Sequence, residues 1–81
     1  MKKKKLLNEN IKDILSKILR LRTQEIKDNT GVVNTPNWDS INQIEIIVAL
    51  EKKYKIKFSQ SEISKLDNYS NILKILKKKV S

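Results

Sequence analysis

Leu6, Leu7, Ile11, Ile14, Leu15, Ile18, Leu19 and Leu21 recur at intervals of three and four residues. That spacing predicts an amphipathic helix from about residue 5 to about residue 22, with Lys12, Asp13, Lys17 and Arg20 on its wet side. Residues 23–39 break the pattern and hold the only Gly (Gly31) and the only Pro (Pro36). They read as a long loop with a helical turn near Glu25 to Asp28, pinned to the core by Val32, Val33 and Trp38. Loops of this length in a small domain are uncommon and often functional. Apolar periodicity resumes at Asp39 or Ser40 and predicts a second helix ending near Tyr54. "SQSE" at 59–62 is a capping box, Ser59 at N-cap and Glu62 at N3, opening a short helix that ends near Leu66. Asp67 or Asn68 then caps a last helix carrying Tyr69, Ile72, Leu73, Ile75 and Leu76. Lys77, Lys78 and Lys79 sit in its final turn, where cations suit the negative end of the helix dipole. No stretch alternates for long enough to argue for a sheet. The fold class is all-α, a bundle of three main helices and one short one with a long first connection.

The second helix carries two apolar stripes. At 100° per residue, Ile46, Ile47, Leu50 and Tyr54 share one side, the face expected to be buried. Ile41, Ile44 and Val48 form another at i, i+3 and i+7, with Glu45 and Lys52 beside it. A central helix touching neighbours on both sides would account for two stripes. A partly exposed stripe that receives a partner accounts for them as well, and Ser40 stands at its head.

Two capping residues in succession precede this helix. Ser40 with Gln43 forms an S-x-x-Q box, and Asp39 can cap instead with Asn42 at N3. If Asp39 caps, the Ser40 hydroxyl is left pointing outward at the positive end of a helix, where a phosphate ester is electrostatically favoured. Nothing nearby in the sequence would activate that hydroxyl, so another enzyme must modify it.

Eighty-one residues make one domain, expected as a basic tail (1–5), a helical bundle (6–77) and a C-terminal tail (78–81). The absence of Cys excludes disulfides, thiolate metal sites and a Cys nucleophile, and the absence of His removes the commonest general base and zinc ligand. No metal site is expected, and self-contained catalysis is not supported. The net charge of +9 suggests a polyanion, yet Arg20 and Arg22 are the only arginines among 18 basic residues. Lys, Ile and Asn are over-represented together, as an AT-rich coding sequence would produce. "MKKKKLL" is followed by Asn8, Glu9 and Asn10 rather than by an apolar run, so a signal peptide is not expected. The longest apolar run, Ile46 to Leu50, is far too short to cross a bilayer. A cytoplasmic monomer is the expectation.

The segment "WDSINQIEIIVALEKKYKIKF" resembles the modification-site helix of acyl carrier proteins, whose signature is Asp-Ser-Leu followed by an amphipathic helix. Asp39-Ser40-Ile41 stands for that motif, with Ile for Leu. Ile44, Glu45, Val48, Ala49, Leu50, Glu51 and Tyr54 fit the pattern downstream, and the likeness extends over about residues 6–77. Trp before Asp-Ser resembles carriers of specialised pathways. The resemblance implies a four-helix bundle in which Ser40 receives 4′-phosphopantetheine from coenzyme A through a separate Mg²⁺-dependent phosphopantetheinyl transferase. Its thiol would then hold acyl or aminoacyl groups as thioesters for loading enzymes and acyltransferases. Asp39 would cap and help engage the transferase, and Ile41, Ile44, Glu45 and Val48 would form the docking surface.

Charge departs from the resemblance, because such carriers are generally acidic. Lys52, Lys53 and Lys55 on and after the second helix favour a dedicated carrier with its own loading enzyme. Two alternatives carry different expectations. A small basic helical nucleic-acid binder would use Lys2–Lys5 and Lys77–Lys79, although both runs read as solvated tails and four aromatic residues offer little stacking. An unmodified homologue would act as a docking module only.

Overall fold

The computed structural model describes residues 2–80, with side chains from Leu7 onward. Four α-helices follow one another: α1 (Lys2–Leu19), α2 (Ser40–Tyr54), α3 (Gln60–Ile63) and α4 (Tyr69–Val80). A single 3-10 turn, Thr23–Glu25, interrupts the first connection. Met1 and Ser81, the outer residues of the two expected tails, lie outside the described residues. Helical backbone reaches into both tail segments, beginning at Lys2 and continuing to Val80.

α1 closes two residues before its apolar pattern does. Arg20 adopts a left-handed backbone, φ 61°, and the Leu21 amide donates back to the Ser16 carbonyl at 3.1 Å. That six-to-one closure normally uses glycine, so no residue type announced it. Leu21 still packs on the core from outside the helix. α2 ends the same way at Lys55, φ 55°, with the Ile56 amide on the Glu51 carbonyl at 3.1 Å.

The core is built from one stripe of each long helix. Ile11, Leu15 and Leu19 of α1 meet Ile46, Ile47 and Leu50 of α2 and Tyr69, Ile72 and Leu76 of α4. Ile26, Trp38, Phe58 and Leu66 close it from the connections. Each such side chain taken from water contributes ~1.5–3 kcal/mol. Asn37 donates to the Leu19 carbonyl at 2.9 Å, which sets the end of α1 beside the start of α2. The two helices therefore run antiparallel.

The expectation that Val32 and Val33 pin the long loop is wrong. They are 44% and 95% exposed. The loop is held through its backbone instead. The Val32 amide donates to the Asp67 carbonyl at 3.0 Å and the Tyr69 amide to the Thr30 carbonyl at 2.8 Å, around an isolated antiparallel bridge between Gly31 and Asn68. Gly31 is required by that approach: a Cβ there would lie 2.5 Å from the Asp67 carbonyl oxygen and 2.7 Å from the Asn68 Cβ. Trp38, expected to anchor the loop, does so at 3% exposure.

The second capping box forms as the sequence indicates, with the Ser59 hydroxyl accepting from the Glu62 amide and Glu62 from the Ser59 amide. α3 itself is shorter than expected and passes into tight turns through Leu66. Asn68 is the residue that caps α4, accepting from the Asn71 amide at 2.8 Å. Among the described residues no helix is long and apolar enough to cross a membrane.

Candidate functional site

Asp39 takes the cap of α2. Its backbone is extended, and its carboxylate accepts from the Asn42 amide at 2.9 Å, while its carbonyl accepts from the Gln43 amide at 2.8 Å. Ser40 is thereby the first helical residue and is exposed. Among the described residues its hydroxyl has no hydrogen-bond partner, and the Ser40 and Ile41 amides are not engaged either. Two unused N–H groups at a positive helix end form an environment suited to an anion attached at that hydroxyl.

The position of Ser40 is held from both sides. Before it, Trp38 is buried and donates its indole N–H to the Gln43 side chain at 2.5 Å. Gln43 in turn donates to the Leu66 carbonyl at 2.8 Å, tying the start of α2 to the link before α4. Asn42 donates to the Asn37 carbonyl at 2.7 Å, and Asn37 reaches the end of α1. The S-x-x-Q reading of Ser40 with Gln43 is therefore not the one realised. Gln43 is a cross-brace, and periodicity could not reveal it because its partners, Trp38 and Leu66, lie in connections.

The second stripe of α2 is open. Ile41, Ile44 and Val48 are 69%, 61% and 42% exposed, with Glu45 exposed beside them. The opposite stripe, Ile46, Ile47 and Leu50, is buried. An open groove of about 420 Å³, lined by Lys17, Ile18, Arg20, Asn37, Asn42 and Glu45, runs between α1 and α2 below Ser40. Sequence spacing gave no sign of it. Among the described residues no group of His, Cys, Asp or Glu is placed to hold a metal ion.

The Phosphopantetheine attachment site family model matches residues 9–76. The chain belongs to the acyl carrier protein family. It is 32% identical over 71 residues to an acyl carrier protein of Brachyspira hyodysenteriae, covering 86% of this chain and 91% of that one. An acyl carrier protein of Buchnera aphidicola subsp. Schizaphis graminum is 31% identical over 61 residues, 75% and 77% of the two chains. That of Buchnera aphidicola subsp. Baizongia pistaciae is 31% identical over 74 residues, 91% and 95% of the two chains. The prosthetic group of such a carrier is covalently attached 4′-phosphopantetheine. The exposed hydroxyl and the free first-turn amides, with the cap supplied by Asp39 rather than by Ser40, fit a phosphodiester at the head of α2.

Proposed function

We propose that Ser40 is the attachment residue and that this carrier moves acyl or aminoacyl groups as thioesters between enzymes, without catalysing their reactions. The single observation supporting this most strongly is that Asp39 caps α2, leaving an exposed serine hydroxyl unpaired at the positive end of the helix. In the transfer, the Ser40 oxygen attacks the coenzyme A phosphorus that bears the pantetheine. A P–O bond forms, the bond to the 3′,5′-adenosine bisphosphate leaving group breaks, and the serine proton passes to a base of the transferase. The chain's own contribution is placement, through Trp38, Gln43 and Asn37, and stabilisation of the new anion by the first-turn amides. Pantetheine supplies the thiol that a cysteine-free chain lacks.

Ile41, Ile44 and Val48, with Glu45 at their edge, are the docking surface in this reading. Partners are a phosphopantetheinyl transferase, a loading enzyme and acyltransferases. The net charge of +9 supports a specialised pathway with its own loading enzyme. Incubation with coenzyme A, Mg²⁺ and a broad-specificity transferase is expected to add the mass of one phosphopantetheinyl group. Ser40→Ala is expected to abolish the addition. No addition to the wild-type chain with several transferases would leave it an unmodified docking module.

A further inference from the structure

The fold gathers positive charge at the end of the bundle farthest from Ser40. Lys52 and Lys53 lie in the last turn of α2, Lys55 follows in its left-handed turn, and Lys57 lies in the link; all four are exposed. α4 brings Lys77, Lys78 and Lys79 to the same end. The contacts there are specific: the Lys79 ammonium is 3.0 Å from the Glu62 carboxylate and 5.8 Å from the centre of the Phe58 ring. The Phe58 amide in turn donates to the Glu51 carboxylate at 2.9 Å. Glu51 and Glu62 are thus engaged in contacts of the fold, and Glu9 on α1 is an exposed acid. Because α1 runs antiparallel to α2, its first turn, which contains Lys2–Lys5, belongs to this end as well. At the Ser40 end the signs balance, with Glu25, Asp28, Asp39 and Asp67 set against Arg20, Arg22, Lys27 and Lys65.

Helix dipoles account for cations in a last turn, but Lys55 and Lys57 fall outside both helices. The two ends are also electrically separate. Fifteen residues of α2 span about 22 Å, more than two screening lengths at physiological salt. The lysine end therefore exerts little force on what approaches Ser40.

The chemistry of this end selects its partner. Both arginines lie at the other end, so the planar fork that reads base edges or grips phosphates in pairs is missing here. Phe58 is buried, so it provides no platform on which bases could stack. What remains is a broad cap of flexible ammonium groups from separate segments, with Val80, 41% exposed, among them. A layer of anionic headgroups asks for charge without fixed geometry, and lysine stems reach it easily. We propose that this end seats the carrier on an anionic lipid surface, with Ser40 turned toward the aqueous phase. Each lysine near such a surface strengthens binding about fivefold.

The test is co-sedimentation of the unmodified chain with vesicles of equimolar phosphatidylglycerol and phosphatidylcholine, against vesicles of phosphatidylcholine alone. One variant combines Lys53→Gln, Lys55→Gln, Lys57→Gln and Lys77→Gln. Its partner combines Arg20→Gln, Arg22→Gln, Lys27→Gln and Lys65→Gln, which removes the same charge from the other end. The expected result is binding to the anionic vesicles only, weakening steeply with salt, with affinity lost about 600-fold in the first variant and less than about threefold in the second. Equal losses in the two variants, equal binding to neutral vesicles, no binding at all, or release of the bound chain by an equal charge of double-stranded DNA would each overturn the proposal. Orientation is read from single cysteines, clean in a chain without Cys: a polarity-sensitive dye on Lys57→Cys shifts to the blue with vesicles, and one on Ser40→Cys does not. The reverse pattern overturns the orientation. No arm is needed, so failure here leaves attachment at Ser40 standing, and failure of attachment leaves this result standing.

Discussion

At the Ser40 end of the bundle, charges alternate in sign and polar side chains are interlocked. Trp38, Gln43, Asn37, Asn42 and Asn68 each bond to a different segment or to the turn beside them. At the opposite end positive charge predominates, with Glu51 held by the Phe58 amide and Glu62 by Lys79, and the Tyr54 hydroxyl, shielded from solvent, makes no well-formed hydrogen bond among the described residues. The contrast separates two demands. Under the proposed attachment at Ser40, a hydroxyl that an enzyme modifies needs a fixed backbone, and hydrogen bonds between loops supply it. An end that attracts a diffuse field needs only charge, and flexible lysines supply that. The net charge of +9 is therefore unevenly spread: it reaches the exposed stripe of α2 at Lys52, whereas the charges around Ser40 balance.

The sharpest way to break this comparison is at adjacent residues. Ser40→Ala is expected to abolish phosphopantetheinylation while changing stability by less than ~0.5 kcal/mol, because the cap is not Ser40. Asp39→Ala should cost about 1 kcal/mol and slow modification without abolishing it. Mass spectrometry and urea unfolding on the same samples check both. A large stability loss in Ser40→Ala would mean that the hydroxyl is structural after all.

Gly31→Ala carries the next effect. The new Cβ meets the Asp67 carbonyl and Asn68, so the bridge that holds the long loop to the start of α4 must open. A loss of ~2–3 kcal/mol is expected, in line with overpacking against backbone that cannot step aside. Hydrogen exchange should quicken in residues 28–34 and at the start of α4, while the lysine end keeps its protection.

The helices and the helix start at Asp39-Ser40 were legible in the sequence because each is a local pattern. Apolar spacing marks α1, α2 and α4, and Asp39-Ser40 with Ser59 and Glu62 marks helix starts. What was not legible depended on distant partners. Gln43 satisfies Trp38 and Leu66 rather than Ser40, Arg20 and Lys55 accept a backbone that glycine usually takes, and Val33 is exposed because the loop is held through its peptide groups. The polarity of charge was equally hidden, since it requires knowing that Lys57 and Lys79 share an end.

Tyr54→Phe probes the lysine end. Burial raises the Tyr54 pKa by more than the Asn10 side chain, near the hydroxyl but outside good hydrogen-bond geometry, lowers it; burial and then Asp28 raise that of Tyr69. A raised pKa means that the folded state favours the neutral phenol. Its contribution is present below the unfolded value near 10 and is lost as pH rises through the folded one. Stability should therefore fall above about pH 10, and Tyr54→Phe should lessen that fall while being neutral or slightly stabilising at pH 7, having removed an unpaired buried hydroxyl. Tm followed from neutral to alkaline pH decides it; an unchanged alkaline slope would mean that Tyr54 is not deprotonated against burial.

The smallest effects compare the two ends most directly. Arg20 and Lys55 occupy the same left-handed position at the ends of α1 and α2, one beside Ser40 and one among the lysines. A side chain in that conformation costs about 1 kcal/mol, which glycine avoids. Arg20→Gly and Lys55→Gly should each stabilise the fold by ~0.5–1 kcal/mol, a rise in Tm of a few degrees. They should part company on vesicles: Lys55→Gly loses about fivefold in affinity for the anionic surface, and Arg20→Gly is unchanged. Because both substitutions relieve the same strain and remove the same single charge, neither stability nor net charge can produce that difference. Only the place of the charge can.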